Sequence, residues 1–173
     1  MRKLLTGIGF ALFLAGSSVA QLHVTEVMSS SAHGGGTNNG DWFELTYSGV
    51  GTFDLNGWSW DDNSNLSGSA TFGSVTSIAA GQSIIFTQET VGAEAAWISD
   101  WGLTGVTVVN LGSTIFQNFS ATGDEIHIYN NLGVEQTSAG VVFGTATDGF
   151  SFAWDTAGNS LGLSVAGQNG AFM

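Results

Sequence analysis

Residues 42–47 have the sequence Trp42-Phe43-Glu44-Leu45-Thr46-Tyr47. Aromatic and β-branched residues favour extended structure, so this stretch predicts a β-strand. The earlier segment Leu22 to Met28 alternates apolar and polar side chains and predicts a second strand. Residues 29–40 lie between the two and contain three consecutive glycines and an Asn-Asn-Gly run, which indicates a loop.

The rest of the chain continues this arrangement of short strands and turns. Asn56-Gly57 and Ala80-Gly81 are turn dipeptides, and residues 91–101 predict a single short helix with Thr90 capping its start. Regularly spaced short strands predict an all-β fold, a sandwich or a barrel. The further strands are predicted at residues 58–60, 70–75, 83–87, 106–109, 114–119, 124–129, 134–143 and 149–154.

The composition of the 173 residues excludes several functions. There are 14 acidic residues, two basic ones (Arg2 and Lys3), no Cys and no Pro. Binding to nucleic acid or to anionic lipid needs Lys or Arg, and none follows residue 3. A disulfide scaffold is excluded because it needs Cys. Gly and Asn must form the turns, since both tolerate positive φ.

The first twenty residues have the order of a secretory signal peptide. Arg2 and Lys3 precede an apolar run over residues 4–14, and the small residues Ser18 and Ala20 precede the expected cleavage point. The alternatives are an uncleaved anchor or a buried first strand. We therefore expect a signal peptide at residues 1–20 and one domain at residues 21–173, secreted or at the cell surface, with no membrane insertion after cleavage.

An ordered set of motifs covers about residues 22 to 170. These motifs are Val24-Thr25-Glu26-Val27, Asp41-Trp42-Phe43-Glu44-Leu45, Asp54-Leu55-Asn56-Gly57-Trp58, the turn and strand of residues 79–86, Gly123-Asp124 with its strand, and Gly149-Phe150-Ser151-Phe152. Together and in this order they resemble the lamin-tail domain (LTD) family. In that family's pattern a Pro usually stands where this chain has Ala80.

The resemblance implies an immunoglobulin-like β-sandwich with one short helix in a long connection. Trp42 and Trp58 are then expected on core-facing positions of paired strands, aligned by the Asn56-Gly57 turn. Glu26 and Glu44 are expected to accept hydrogen bonds from loop amides. These are structural roles, and family membership does not make them catalytic.

The resemblance also implies a limited function. Nuclear lamins use this domain for interaction, partly through basic surface residues, which this chain lacks. Nucleic-acid binding is therefore not carried over. Bacterial members are typically exported and non-catalytic, and a signal peptide followed directly by the domain is similar to that group.

The sequence does not contain a complete set of residues for any of the catalytic mechanisms that we considered. Ser151 lacks the Gly-x-Ser-x-Gly context of a nucleophile elbow, and His33 lies in a glycine-rich loop. His23 and His127 are expected to face solvent, because their apolar neighbours on the strand face the other way. The adjacent acids Asp124 and Glu125 point to opposite faces of a strand and do not indicate a glycosidase. We assign no catalytic, cofactor-binding or metal-binding residues.

Two binding alternatives remain open. Asp61-Asp62-Asn63-Ser64-Asn65 offers oxygen donors for calcium, but Leu66 and Phe72 replace the Gly and Glu of an EF-hand loop, and a solvated turn is the other interpretation. Exposed Trp60, Trp97 or Trp101 would stack on sugars, whereas burial is the alternative. The predicted function is an exported structural, adhesive or protein-interaction module that is not an enzyme. The alternative is a calcium-dependent carbohydrate-binding module, so the partner is an unknown protein or a surface glycan.

Trypsin digestion tests the distribution of basic residues. Trypsin cleaves after Lys and Arg, so the urea-unfolded protein should lose at most its first three residues. Chymotrypsin, which cleaves after aromatic residues, should degrade the same sample to peptides. Mass spectrometry of both digests checks this. An internal tryptic fragment would contradict it.

Overall fold

The computed structural model describes residues 21–30, 40–137 and 140–165. Twelve strands and one helix lie in these ranges. None of the described helical structure is long and apolar enough to cross a membrane. The elements are β1 (Leu22–Met28), β2 (Trp42–Tyr47), β3 (Thr52–Asp54), β4 (Ser59–Asp61), β5 (Ala70–Thr71), β6 (Ser77–Ala79), β7 (Ser83–Thr87), α1 (Glu94–Asp100), β8 (Thr107–Asn110), β9 (Asp124–Tyr129), β10 (Val141–Phe143), β11 (Phe152–Trp154) and β12 (Ser160–Leu163).

Two sheets of unequal width form a sandwich. The larger has the strand order β12-β11-β1-β2-β7-β8, and the smaller has the order β10-β9-β4-β5. A separate two-stranded ribbon pairs β3 with β6. All pairs are antiparallel except β7 with β8, which needs a crossover connection, and that connection contains α1. The predicted immunoglobulin-like β-sandwich with one short helix in a long connection is confirmed.

The main core lies between the two sheets and is largely aromatic. The Phe43 ring of β2 lies 4.8 Å from Trp60 of β4 and 5.3 Å from Phe86 of β7, and all three side chains are fully buried. Close aromatic pairs contribute about 0.5–1.5 kcal/mol each beyond the area they bury. These three rings therefore join the larger sheet to the smaller one.

A bulge in β1 lets both halves of that strand reach the core. Val24 pairs with Leu45 and Glu26 pairs with Glu44, so Thr25 is the extra residue. The bulge resets the side-chain alternation, and Val24 and Val27 both point into the main core. Regular alternation would have placed them on opposite faces.

A second apolar cluster lies on the outer face of the larger sheet, beneath α1. Trp97 of the helix and Trp101, its C-cap residue, stack at 5.0 Å, and Trp42 of β2 meets both edge-on. Ile85 and Val108 complete the contact from β7 and β8. This packing holds a helix of only seven residues, which is too short to be stable alone.

The strands predicted at residues 22–28, 42–47, 83–87 and 124–129 are confirmed, whereas the strand predicted at 114–119 is wrong. The amide of Phe116 donates to the carbonyl of Gly112, so the chain turns there instead of extending. The turn lets Phe116 and Phe119 both enter the main core. The strand predicted at 70–75 ends at Thr71, because residues 72–75 form a turn with Gly73 at φ +62°.

Three predictions about local roles are wrong. Trp42 is buried beneath α1 and not in the main core. Trp58 does pack against the main core as expected, half-buried and in contact with Phe53, although it precedes β4 instead of lying on it. The Asn56-Gly57 turn joins β3 to β4, which belong to different sheets, so it does not align a strand pair. Ala93, and not Thr90, occupies the helix N-cap, and no side chain caps it.

Candidate functional site

His127 is held between two carboxylates on the outer face of the smaller sheet. Its Nδ1 lies 2.7 Å from Glu135 Oε1 and its Nε2 lies 2.9 Å from Glu125 Oε2. Ionised carboxylates can only accept hydrogen bonds, so both contacts are satisfied together when the ring is an imidazolium and both of its nitrogens donate. Burial alone would lower the pKa of His127, but the hydrogen bonds and charges of the two glutamates raise it above its ordinary value. Both ring nitrogens are therefore committed to the fold.

The prediction that His127 faces solvent is wrong, because its side chain is only 2% exposed. Glu135 and Gly140, which follow β9 in the chain, lie against it. Gly140 lies directly over the ring, and a Cβ there would sit 2.7 Å from His127 Cε1. His23 is half-buried and contacts Ser48 Oγ at 3.0 Å. His33 lies outside the described residues.

The acidic run that suggested calcium binding begins with a carboxylate that is buried and hydrogen-bonded within the protein. The carboxylate of Asp61 is fully buried and accepts hydrogen bonds from Leu66 N at 2.5 Å, Ser64 Oγ at 2.7 Å and Gln117 Nε2 at 2.9 Å. Asp61 is thus a buried anchor for the loop and not part of a solvated turn. In the ranges that the structure describes, no group of three or more His, Asp or Glu side chains is arranged to hold a metal ion.

Two further aspartates clamp the loop before β9, a role that the sequence did not reveal. Asp41 Oδ2 accepts from the amide of Phe119 at 2.8 Å, and Asp124 Oδ2 accepts from the amide of Ser120 at 2.7 Å. Burial raises the pKa of Asp41 to about 6, against the opposing effect of the Phe119 hydrogen bond, and the charge of Asp124 adds to the increase. The two neighbouring amides fix the loop that carries Phe116 and Phe119 into the core.

Glu26 and Glu44 lie directly opposite each other on β1 and β2. The prediction that loop amides donate hydrogen bonds to these two carboxyl groups is wrong, since neighbouring hydroxyl groups are the donors. Thr25 Oγ1 donates to Glu44 at 2.5 Å, and Ser151 donates to Glu26. Burial raises the pKa of Glu26 to about 7, with the charge of Glu44 adding to the increase and the Ser151 hydrogen bond opposing it. The hydroxyl of Ser151 therefore supports a buried carboxyl group.

The tryptophans considered for sugar stacking are inside the protein. Trp60 and Trp97 are fully buried and Trp101 is 4% exposed, so the alternative of burial is confirmed. Their ring faces contact other aromatic side chains, as described above for the two apolar clusters. None of the three offers a free ring face to a sugar.

An open cleft of about 420 Å³ lies at one side of the sandwich. Its volume is within the range of about 300–1,000 Å³ that small-ligand sites occupy. Its walls come from the start of β1, from β10 and from the β11–β12 hairpin, and Trp154 is its half-buried aromatic residue. The sequence did not predict this cleft. Its apolar lining includes Leu22, Val24, Val141 and Trp154.

These features define an immunoglobulin-like β-sandwich whose acidic and imidazole groups serve its own loops and strands. A family model described as Lamin Tail Domain matches residues 15–163, and the chain belongs to this family. It is a non-catalytic, immunoglobulin-like domain family that often mediates protein interaction. The match confirms the resemblance deduced from the motifs. The chain matches no curated protein and no solved structure.

Replacing His127 tests its role as a buried cation. The raised pKa means that its stabilising effect is complete below the unfolded value of 6.5 and is lost as the pH rises through the folded value. His127→Phe should lower the unfolding free energy by about 2 kcal/mol at pH 6, since two carboxylates then face each other without a cation. The loss should be smaller at pH 9. Urea unfolding at both pH values measures it.

The matched control is His23→Phe, which replaces a half-buried histidine and should change stability by less than about 1 kcal/mol. Adding Glu125→Gln and Glu135→Gln to His127→Phe should recover part of the loss by removing the repulsion. A His127→Phe variant as stable as the wild type at pH 6 would show that the imidazolium contributes nothing.

Proposed function

We propose that the chain is exported and that residues 21–173 act outside the cytoplasm as a non-catalytic interaction domain, adhesive or structural in role. The order of residues 1–20 supports export, because a basic start, an apolar run and small residues before Ala20 are the parts of a signal peptide. Family membership supports interaction, since lamin tail domains often bind other proteins.

One observation supports the non-catalytic part of the proposal: the candidate serine and the buried histidine make hydrogen bonds that hold the fold together. Both nitrogens of His127 bind glutamates, and Ser151 donates to Glu26. A nucleophilic serine needs a base within hydrogen-bond reach and an orienting acid. In this protein the serine meets a carboxyl group on one sheet, while the buried imidazole meets carboxylates on the other.

The charge of the chain limits the partner. Without Lys or Arg after residue 3, the domain cannot neutralise phosphates, so nucleic acid is not a partner. A calcium-dependent carbohydrate-binding module would need exposed oxygen donors and an exposed aromatic face. Asp61 and the three candidate tryptophans are buried, so the protein-interaction role is the better supported of the two.

N-terminal sequencing tests export. When the full chain is expressed in a bacterial host with a C-terminal tag, the protein should be recovered outside the cytoplasm with Gln21 as its first residue. The control changes Arg2 and Lys3 to Glu, which should leave uncleaved chain in the cell. A wild-type protein that retains Met1 would contradict the proposal.

The non-catalytic role has its own test. The purified protein should give no turnover in a broad panel of hydrolase substrates. Turnover that disappears when one residue is changed would contradict the proposal. Glycan-array binding that is lost on adding a chelator would instead favour the carbohydrate-binding alternative.

A further inference from the structure

The larger sheet extends past the smaller one at the side where the cleft opens. Phe143 of β10 lies 5.7 Å from Phe152 of β11, so β10 is opposite β11 and is the last strand of the smaller sheet on this side. The next strand of the larger sheet is β12, and all four of its residues are exposed. Leu163 pairs with Phe152 and shares its inward-facing side, yet it remains 40% exposed.

The inward side of β11 and β12 is thus an apolar surface that the smaller sheet leaves uncovered. Phe152 and Trp154 pack against the main core but are only half-buried. Val165, just beyond β12, is 53% exposed. Removing apolar surface from water is favourable, so a segment that covers this surface would gain binding free energy.

The strand beside this surface has a free edge. β10 pairs with β9 on one side, and on its other side no strand from the described ranges joins it. Backbone N–H and C=O groups along such an edge can pair with an incoming strand. The cleft of about 420 Å³ lies between this edge and Trp154, so one extended segment would reach both the backbone edge and the apolar surface.

We propose that this place is a docking site for an extended segment of another protein, which adds a fifth strand to the smaller sheet beside β10 and covers the inward side of β11 and β12. This rests on the proposed interaction role and names its surface. Alternate side chains of an added strand point to opposite faces, so apolar residues at every second position would enter the cleft.

The charges of the chain decide what kind of segment fits. The domain carries 14 acidic residues and, after residue 3, no Lys or Arg. Two copies would repel each other, which disfavours a second copy as the occupant. Asp155 stands beside Trp154 at the start of the β11–β12 turn, and hydrogen bonds from Asn159 and Ala157 lower its pKa, so it is ionised at neutral pH. A segment that alternates Lys or Arg with apolar residues is complementary to this surface.

The test uses the purified protein and two ten-residue peptides, one that alternates Lys with Val around a central Phe and one with Glu in place of every Lys. Calorimetry should show that only the Lys peptide binds, more weakly as salt screens the charges. Binding should slow hydrogen exchange of the backbone amides of β10 by about tenfold or more, as a new strand protects them.

Two exposed leucines provide matched variants. Leu163→Lys places a like charge in the site and should weaken binding of the Lys peptide by about tenfold or more, whereas Leu132→Lys, at an 82% exposed leucine on the β9–β10 connection, should change it less than about twofold. Leu163→Asn serves as a second variant that adds no charge, and circular dichroism confirms that each variant is folded.

Several results would overturn the inference while leaving the proposed function intact. These are no binding of the Lys peptide, equal binding of the Glu peptide, and binding without protection of β10. Protection of β10 that rises with protein concentration alone, together with a dimer in light scattering, would identify a second copy as the occupant. Failure of the proposed function is distinct, since it is seen as enzymatic turnover or as retention of Met1.

Discussion

The constraint on which the structure depends is that its acidic side chains have almost no cationic partners. After Lys3 the chain contains only histidines as possible side-chain cations. Buried carboxylates nevertheless need partners, because an isolated buried charge is costly. Asp41, Asp61 and Asp124 obtain them from backbone amides, a hydroxyl group and a glutamine side chain, and His127 in its imidazolium form supplies a positive charge to Glu125 and Glu135.

This way of satisfying carboxylates also shapes the fold. Each aspartate that accepts a hydrogen bond from a loop amide holds that connection against the neighbouring strand. The loop held by Asp41 and Asp124 delivers Phe116 and Phe119 into the core, where they join Phe43 and Trp60. The aromatic core and the acidic anchors are therefore parts of one arrangement.

The sequence predicted correctly the longer strands, whose pattern of side chains is contained in one short segment. β1, β2, β7 and β9 have clear patterns, and their ordered motifs led to the correct family. It was misleading where contacts between distant parts of the chain determine the local structure. Residues 114–119 are an example, because they form a turn that brings apolar side chains into the core instead of an extended strand. The burial of His127 depends on Gly140 and Glu135 folding over it, and the cleft joins Leu22, Val141 and Trp154 from distant parts of the chain. No local sequence pattern predicts contacts between residues that lie so far apart in the chain.

The pH dependence of stability tests the central claim most directly. Folding raises the pKa of Glu26 to about 7, that of Asp41 to about 6 and that of His127, while among the described residues only the lowered pKa of His23 opposes them between pH 5 and 8. A raised folded pKa means stability that is lost as the pH rises through it. The urea-unfolding free energy should therefore be greater at pH 5 than at pH 8, by about 2 kcal/mol, and Glu26→Gln should remove much of the difference. Equal stability, or greater stability at pH 8, would contradict the account.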